Sequence, residues 1–521
     1  MFDMLELMSR LTAAAFTGMT ASVWADVKGD QVAIFDPHGT RTYRQLNANA
    51  NRIVRFLRGQ GLGEGDAVAL LCSNRAEFTE VLSACLRGGF RVTPVNWHLN
   101  ADEVAYIVED CEAKALFADT RFPSSQTAVS PHLKVRVSIG ADAPGFVPLA
   151  EILANEDSSD IDDPVMGGAM LYTSGTTGRP KGVYRRAATT VLAPGPGAGD
   201  DVQLCAGPAY HAAPLAFDIR AALAQGSPLV FLDKWDSEGV LAAIERHRVT
   251  RCHMVPIMFQ RLLALPDEVK ARYDISSLRY VIHGAAPCPP EVKRAMIDWL
   301  GPILHEYYAG SEGGAGFLVS SEEWLTRPGT VGRLPAPEAL KILDEEGGEI
   351  AEPGRPGTLY FQVSPISPFE YFKDPAKTAA AHRDGYFTLG DVGYLDDDGY
   401  LFLTGRTAEC IISGGVNIYP QEIEDVLLAH PKVLDVAVFG VPNSEMGEEV
   451  KAVVQPVPGV EPPPGEALAA ELQAWCEGRL AHYKWPRSID FDPQLPRLDN
   501  GKLYKTALRE RYWEGRATRV V

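Results

Sequence analysis

The sequence has little positive charge and no basic tract. Its 521 residues include 49 Lys and Arg against 68 Asp and Glu, which gives a formal net charge of −19 at pH 7. Nucleic-acid-binding proteins concentrate Lys and Arg on one face, so this balance argues against a nucleic-acid partner. A phosphate ligand would have to be held by local geometry, because the protein as a whole provides no positive field.

Cysteine is sparse, and long apolar runs are absent. The eight cysteines are scattered from Cys72 to Cys476 without a C-x-x-C pair, which excludes a disulfide framework and favours a reducing compartment. Residues 1–6 contain no basic residue of the kind that begins a secretory signal. No apolar run reaches the length that crosses a bilayer. We therefore expect a cytoplasmic protein that is not an integral membrane protein.

The hydrophobic pattern indicates an α/β protein with several domain-sized units. Short apolar strands alternate with amphipathic helices over residues 41–95, 229–255 and 278–300, which predicts parallel sheets covered by helices. Glycines, prolines and short strands at 329–360 predict a β-rich subdomain. An acidic turn at 396–399 predicts a hairpin over 393–403. A small α+β domain follows. There we expect a helix from Tyr419 that stops at Pro431, a strand at 433–441, a helix at 467–480 and a strand at 488–491.

The most informative segment is Leu171–Val183, which reads LYTSGTTGRPKGV. Glycines allow the backbone to approach an anion closely. Backbone N–H groups, hydroxyls and a lysine together offer many donors to phosphate. The spacing is not that of a Walker A loop, because the residue immediately before Lys181 is not a glycine and the residue immediately after it is not Ser or Thr. The segment therefore predicts a loop that binds a nucleotide polyphosphate.

This loop resembles the phosphate-binding signature of the adenylate-forming superfamily, in its acyl-CoA synthetase branch. Further motifs follow in the order of that family: PAYHAAP at 208–214, HGAAP at 283–287, EYYAGSE at 306–312, GYFTLGD at 385–391, ISGGVNIYP at 412–420 and PRLDNGK at 496–502. The resemblance implies a large N-terminal domain over 1–404 made of parallel α/β subdomains and a β-rich subdomain. It also implies a hinge over 405–409 and a small mobile α+β C-terminal domain over 410–521.

The resemblance implies a site for ATP and Mg²⁺. The ATP-binding residues would be Thr173, Ser174, Gly175, Thr176, Thr177, Gly178, Lys181, Gly284, Ala285, Ala286, Glu306, Tyr307, Tyr308, Ser311, Asp391 and Arg406. Tyr308 would stack on adenine, Asp391 would accept hydrogen bonds from ribose, and Glu312 with Thr176 would hold the metal.

Three further sets of residues complete the implied machinery. The catalytic residues would be Lys502, His211 and Glu312, and the acyl pocket would contain Tyr210, His211, His283 and Gly284. A tunnel for coenzyme A would pass Ser413, Gly414 and Gly415. The hinge would include Thr407, Ala408 and Glu409. Ala408 departs from the family, which often has Asp or Lys there, and the adjacent Glu409 offers a substitute charge.

The implied function is ATP-dependent ligation of a carboxylic acid to coenzyme A through an acyl-AMP, with release of pyrophosphate. The stretch after Arg185 is shorter than in relatives. The shorter stretch indicates either a harmless deletion or an open pocket for a bulky acid, cyclic or terpenoid. A fatty acid is the other candidate substrate. One alternative is an enzyme that only adenylates and passes acyl-AMP to a carrier protein or partner enzyme. Another is a non-catalytic acyl-nucleotide-binding protein. A homodimer is compatible with the sequence.

Overall fold

The structure is a computed structural model. It describes residues 4–173, 180–185, 200–334, 336–364, 368–413, 416–443, 446–498 and 501–513.

The described residues form helices and strands that alternate along most of the chain. The helices are α1 Met4–Ala15, α2 Thr20–Lys28, α3 Tyr43–Gly59, α4 Ala76–Gly88, α5 Ala101–Asp110, α6 Ser124–Thr127, α7 Leu149–Asn155, α8 Ala221–Gln225, α9 Ser237–His247, α10 Pro256–Leu263, α11 Asp267–Lys270, α12 Pro290–Leu300, α13 Ser321–Thr326, α14 Pro375–Ala381, α15 Pro420–Leu428, α16 Glu466–Trp475 and α17 Lys505–Trp513. A π-helix covers Pro214–Arg220, and 3₁₀ turns cover Pro337–Ala339, Thr407–Glu409 and His482–Lys484.

The strands fall into five sheets. They are β1 Val32–Asp36, β2 Gly39–Thr42, β3 Ala67–Leu71, β4 Arg91–Pro94, β5 Ala113–Asp119, β6 Val135–Ile139, β7 Val147–Pro148, β8 Gly168–Ala169, β9 Leu171–Thr173, β10 Lys181–Arg185, β11 Gln203–Cys205, β12 Leu229–Phe231, β13 Arg251–Met254, β14 Tyr280–His283, β15 Leu304–Gly310, β16 Gly313–Ser320, β17 Leu340–Leu343, β18 Gly357–Gln362, β19 Phe369–Tyr371, β20 His382–Arg383, β21 Tyr386–Leu395, β22 Leu401–Arg406, β23 Ile411–Ser413, β24 Val416–Ile418, β25 Val433–Asn443, β26 Gly447–Pro456 and β27 Ser488–Phe491.

Two large sheets form the centre of the N-terminal part. One has the order β7-β6-β5-β3-β4-β8 and is parallel throughout. The other has the order β16-β15-β14-β13-β11-β12-β1-β2 and is antiparallel only at its two edge pairs. Strand β3 is fully buried, as expected of a strand covered on both faces. The predicted α/β fold class is confirmed.

The ends of the helices follow local sequence signals. The side chain of Thr42 accepts from the backbone N–H of Gln45, and the Gln45 side chain accepts from Thr42 N, so a capping box starts α3. The helix then runs from Tyr43 to Gly59. Helix α4 ends at Gly88, after which Gly89 adopts φ +77°, a conformation that glycine allows at little cost.

Smaller sheets carry the remaining strands. The hairpin of β9 and β10 joins β19, and β17, β18 and β20–β22 form a separate antiparallel sheet that begins in the predicted β-rich region. Strands β23–β27 form a fifth sheet, packed by α15 and α16 around its own core. The predicted helix at 467–480 ends earlier, at Trp475. Among the described residues, no helix is long and apolar enough to cross a membrane.

Candidate active site

The described residues on either side of the predicted phosphate loop pair with each other. Strands β9 and β10 run antiparallel, with Thr173 opposite Lys181. The residues Ser174, Gly175, Thr176, Thr177 and Gly178 lie outside the described residues. The Lys181 ammonium lies 2.9 Å from a carboxylate oxygen of Asp374, which raises its pKa.

Glu312 lies in the turn between β15 and β16, beside Ser311. The hydroxyl of Tyr371 donates to Glu312 Oε1 at 2.9 Å, and the Arg185 guanidinium donates to the carbonyl oxygen of Glu312. Among the described residues, no group of three or more His, Cys, Asp and Glu side chains could hold a metal ion. One carboxylate nevertheless suits Mg²⁺, which usually takes one or two protein carboxylates and completes its shell with phosphates and water.

Asp391 joins two neighbouring functional groups. It lies opposite Arg406 in the β21–β22 ladder. Its Oδ2 accepts a 2.6 Å hydrogen bond from the Tyr308 hydroxyl, and its Oδ1 accepts one of 2.8 Å from Arg406 Nε. The three side chains therefore meet beside the carboxyl end of β15, where the sequence placed the base and ribose of ATP.

The turn after β14 has the close geometry expected of a ligand-binding backbone. A Cβ atom at Gly284 would lie 2.5 Å from the carbonyl oxygen of Tyr307, so only glycine fits there. Ala285 has φ +64°, which is uncommon for a residue with a side chain and clusters at functional sites. Ala286 follows in the same turn. This backbone lies beside β15, as β14 and β15 are adjacent and parallel.

Two residues of these motifs lie on the opposite face of the sheet. Glu306 forms a buried ion pair with Lys293 of α12 at 2.6 Å, and the fully buried His283 ring packs on Phe259. Neither side chain lines the cavity described below. The predicted contacts of Glu306 with ATP and of His283 with the acyl group stay predictions, although neither side chain reaches this cavity. Successive residues of a strand point to opposite faces of the sheet, so the side chains of consecutive motif residues cannot all reach one site.

Lys502 comes from the C-terminal part of the chain and reaches this site. Burial lowers the pKa of Lys502, Arg406 lowers it further, and Asp391 and Glu312 act in the opposite direction. A turn closed by the hydrogen bond from Leu498 N to Lys502 O, 2.8 Å long, presents the lysine.

The preceding Gly501 allows this turn to pack against the large N-terminal part of the chain, which we call the large lobe. It has φ +82°, and a Cβ there would lie 2.5 Å from Ile257 Cγ2 and 3.2 Å from Val255 Cγ2. Only glycine allows this approach. At the base of the turn, Arg497 forms two hydrogen bonds of 2.7 Å with the Asp435 carboxylate.

His211 borders the same site as an uncharged group. Burial lowers the pKa of His211 to about 3, with further contributions from Lys502 and His98. Its Nε2 is buried and has no hydrogen-bond partner among the described residues. The buried Tyr210 ring packs edge-on against Trp97 and lies 4.5 Å from the His211 ring. Tyr210 does not line the cavity described below, and its place in the acyl pocket stays a prediction.

A largely apolar cavity of about 330 Å³ opens beside Tyr308. It lies between the π-helix Pro214–Arg220 and strands β13–β16, and we call it the sheet-face cavity. Aromatic rings dominate its wall, among them Phe217, Tyr280 and Tyr307. Tyr307 therefore lines this cavity, whereas the sequence assigned it to ATP.

The residues predicted for the tunnel and hinge follow β22. Thr407, Ala408 and Glu409 form a 3₁₀ turn. Ser413 ends β23 and is paired with Val416 of β24, while Gly414 and Gly415 lie outside the described residues.

Sequence reasoning missed several polar groups around Glu312. They are Arg185, Tyr371 and Lys377. Tyr371 and Lys377 come from segments with no motif, so their spacing gave no signal. The Arg185-Arg186 pair was visible, since two adjacent arginines shortly after a phosphate loop are unusual in an acidic chain.

Comparison with known proteins supports one family over the whole chain. The family described as AMP-binding enzyme matches residues 22–366, and the AMP-binding enzyme C-terminal domain matches residues 422–502. A feruloyl-CoA synthase from Amycolatopsis sp. is 32% identical over 92% of this chain and 97% of its own length. A long-chain-fatty-acid–CoA ligase from Mycobacterium tuberculosis is 33% identical over 90% and 93%.

Solved structures give the same result for the fold. The ATP-bound MatB from Rhodopseudomonas palustris superimposes with a TM-score of 0.80 at 28% identity, covering 96% of this chain and 99% of its own. The amide bond synthetase McbA from Marinactinospora thermotolerans gives a TM-score of 0.80 at 26% identity, with 95% and 99% coverage.

Proposed function

The chain belongs to the AMP-binding enzyme family and is an ATP-dependent acid–CoA ligase, and from this premise we propose that its acid is a compact aryl or cyclic carboxylic acid held in the sheet-face cavity. The observation that carries the proposal is the position of this cavity. It opens at Tyr308, whose hydroxyl binds Asp391, a group whose charge acts on Lys502.

The size and lining of the cavity support an aryl acid. About 330 Å³ lies at the lower end of the range for small-molecule pockets. The rings of Phe217, Tyr307 and Phe317 suit a flat apolar body, because aromatic rings stack or meet edge to face. The feruloyl-CoA synthase is an aryl-acid relative by its name, whereas the fatty-acid ligase supports the other candidate.

The residues around Lys502 suit attack of a carboxylate on the α-phosphate of ATP. Two anions must approach each other, so the barrier is largely electrostatic. The Lys502 ammonium would stabilise charge that develops between them. Asp391 and Arg406 would hold ribose, and Lys181 would bind phosphate oxygens. Glu312 would hold Mg²⁺, which neutralises the leaving pyrophosphate when bound. The neutral His211 would gate the carboxylate side.

Transfer to coenzyme A needs a second geometry. The turn at Gly501 brings Lys502 to the large lobe, and the thiol must reach the same acyl-AMP. We propose that residues 410–521 rotate about 405–409 between the two steps, a common form of conformational gating, and that Ser413, Gly414 and Gly415 line the tunnel for coenzyme A. Ala408→Pro, which fixes φ, should slow acyl-CoA formation more than acyl-AMP formation in rapid-quench experiments.

To identify the acid, a panel of carboxylic acids is tested and the products are identified by mass spectrometry. The protein is incubated with ATP, Mg²⁺ and aryl, cyclic, short-chain and long-chain acids, with and without coenzyme A. We expect aryl-AMP without coenzyme A and aryl-CoA with it. Preference for acetate or palmitate would contradict the cavity assignment. Acyl-AMP that never becomes acyl-CoA would favour the adenylation-only alternative, in which a carrier protein or an amine takes the acyl group.

A further inference from the structure

One wall of the sheet-face cavity contains a buried carboxyl group. The wall is the π-helix Pro214–Arg220, a rare form that occurs frequently at functional sites. It presents Phe217 to the cavity and buries Asp218 completely behind it. Burial raises the pKa of Asp218 well above its usual range, so burial disfavours the charged form of this carboxyl group. A buried polar group costs stability unless it is hydrogen-bonded.

Asp218 fixes the orientation of Gln203, which lines the cavity. Gln203 Nε2 donates to Asp218 Oδ1 at 2.7 Å, and the backbone N–H of His253 donates to the same oxygen at 3.0 Å. Asp218 Oδ2 has no hydrogen-bond partner within the described part of the chain; the adjacent Cys205 thiol is a weak donor. The amide nitrogen of Gln203 is thus engaged behind the wall, which leaves its carboxamide oxygen for the cavity.

Tyr307 supplies a second polar group to the same cavity. Its hydroxyl lies 3.2 Å from His253 Nε2, and burial lowers the pKa of His253 to about 3. The neutral imidazole has one donor and one acceptor nitrogen. His253 therefore contacts Tyr307 through its ring and Asp218 through its backbone N–H. Gln203, Asp218, His253 and Tyr307 thus form one hydrogen-bonded network. We call them the polar wall.

The Gln203 end of the polar wall lies far from the reacting end of the cavity. The backbone of Tyr307 is next to Tyr308, but its hydroxyl contacts His253, two residues beyond Arg251 in β13. Gln203 is in register with Arg251 and Tyr280, while Tyr308 lies five residues further along the strand direction. At about 3.3 Å per residue, these levels are on the order of 15 Å apart. A group that meets Gln203 is therefore at the end of the acid opposite to its carboxylate.

Arg251 also lines the cavity and is held by neighbouring groups. Its Nη1 lies 3.4 Å from Asp201 Oδ2, a carboxylate that also pairs with Arg279 at 2.9 Å, and its guanidinium stacks over the Tyr280 ring at 4.2 Å. The uncharged polar groups of the lining are a carboxamide oxygen and a phenol oxygen, which accept hydrogen bonds.

We propose that the polar wall recognises a hydroxyl or amino substituent at the distal end of the acid, so that the substrate is a hydroxylated or amino-substituted aryl or cyclic carboxylic acid. This inference rests on the proposed function, because it requires the body of the acid to lie in the sheet-face cavity. Gln203 and Tyr307 contact the substituent, and Asp218 and His253 are positioning residues. A cavity that recognised its substrate only by shape would not need this hydrogen-bond network.

Three acids of similar shape test the proposal: 4-hydroxycinnamic, 4-aminocinnamic and 4-methylcinnamic acid. Pyrophosphate release gives kcat/KM for each acid, and calorimetric titration in the presence of a non-hydrolysable ATP analogue gives Kd. For the wild type, kcat/KM should be about ten- to a hundredfold higher with 4-hydroxycinnamic or 4-aminocinnamic acid than with 4-methylcinnamic acid. A difference of this size is expected when buried polar groups lose their hydrogen-bond partner.

Variants assign the preference to the polar wall. Gln203→Leu and Tyr307→Phe should each reduce the preference at least fivefold, chiefly by raising KM and Kd for the substituted acid. Phe217→Leu is the matched control from the same cavity, and it should affect the substituted and methyl acids alike. Tyr307→Phe removes one oxygen only, so it keeps the test valid if Gln203→Leu does not fold. Asp218→Asn should reproduce part of the Gln203→Leu effect.

The outcomes separate this inference from the proposed function. If the enzyme activates all three acids with equal kcat/KM, or if the preference survives in both wall variants, the polar wall does not read the substituent and only this inference is wrong. If the enzyme activates long-chain acids and binds no cinnamic acid, the assignment of the cavity to an aryl acid is wrong and this inference falls with it.

Discussion

Two lysines of the C-terminal part, three positions apart, have opposite environments. Lys505 lies 2.7 Å from Glu424 and 3.2 Å from Glu409. Burial opposes its charge, but these two carboxylates outweigh burial and raise its pKa. Burial lowers the pKa of Lys502, by contrast, and Arg406 adds to that effect. The surroundings therefore favour the charged form of the Lys505 ammonium and disfavour that of the Lys502 ammonium.

The difference indicates what each region does. Lys505 connects the turn at Glu409 to helix α15 through Glu424, so it ties the proposed hinge to the small domain. This also gives Glu409, the acidic residue beside Ala408, a definite partner. Lys502 is directed at the large lobe, where its charge can act on reacting groups. We therefore expect the Lys505 region to serve stability and the Lys502 region to serve catalysis.

Removal of the Lys505 charge should produce the largest change in stability. Lys505→Met leaves the buried Glu424 carboxylate without its cation, and breaking a buried ion pair typically costs about 3–5 kcal/mol. We expect a clear fall in the midpoint of thermal or urea unfolding. Lys432→Met is the matched control, because Lys432 pairs with Glu471 at 2.6 Å in the same domain but nearer to solvent. That variant should lose less than about 1 kcal/mol. Equal losses would remove the distinction.

Removal of the Lys502 charge should affect rate rather than stability. Lys502→Ala takes away a charge aimed at the reacting centre, and such losses typically cost about 3 kcal/mol, or on the order of a hundredfold in rate. We expect acyl-AMP formation to fall by at least that factor while the unfolding midpoint stays unchanged or rises. Unchanged acyl-AMP formation would refute the role of Lys502. Acyl-CoA formation from supplied acyl-AMP provides the control for a folded enzyme.

The lowered pKa of Lys502 predicts a loss of adenylation at high pH. The protonated form is the active one, and its fraction falls as pH rises through a pKa that lies below that of an ordinary lysine. The rate should then fall up to about tenfold per pH unit above that pKa. Lys502→Arg should lose this decline, because arginine remains charged. The same alkaline limb in both proteins would assign it to another group.

The sequence predicts many of the residues around Lys502. Lys502, Asp391, Arg406 and Tyr308 come from motifs whose residue types match the chemistry they serve, and the structure places them together. Their roles stay predictions until activity is measured. The sequence also predicts the parallel sheets, because continuous apolar runs between helices have few other solutions.

The structural half could not be predicted from motifs. Lys505 meets Glu409 across 96 positions, and only the folded chain brings such residues together. Strand alternation could have warned that Glu306 and Tyr307 face opposite sides, since the motif lies on β15. The π-helix at Pro214–Arg220 gave no signal, because its longer hydrogen-bond spacing has no pattern in the sequence.

A carboxyl group beside Lys505 gives the smallest predicted effect and sharpens the contrast through pH. Burial raises the pKa of Asp425 to about 7, and Glu424 adds to this. Since the folded pKa exceeds the unfolded value, the stabilising contribution of neutral Asp425 is present below about pH 4 and is lost as pH rises to about 7. Asp425→Asn cannot ionise and still accepts from Gln421. Relative to wild type, it should therefore gain about 1–3 kcal/mol between pH 5 and pH 8, measured by urea unfolding at both values. A stability difference that does not change with pH would show that Asp425 is ionised throughout, and the carboxylates around Lys505 would then be more solvated than their burial indicates.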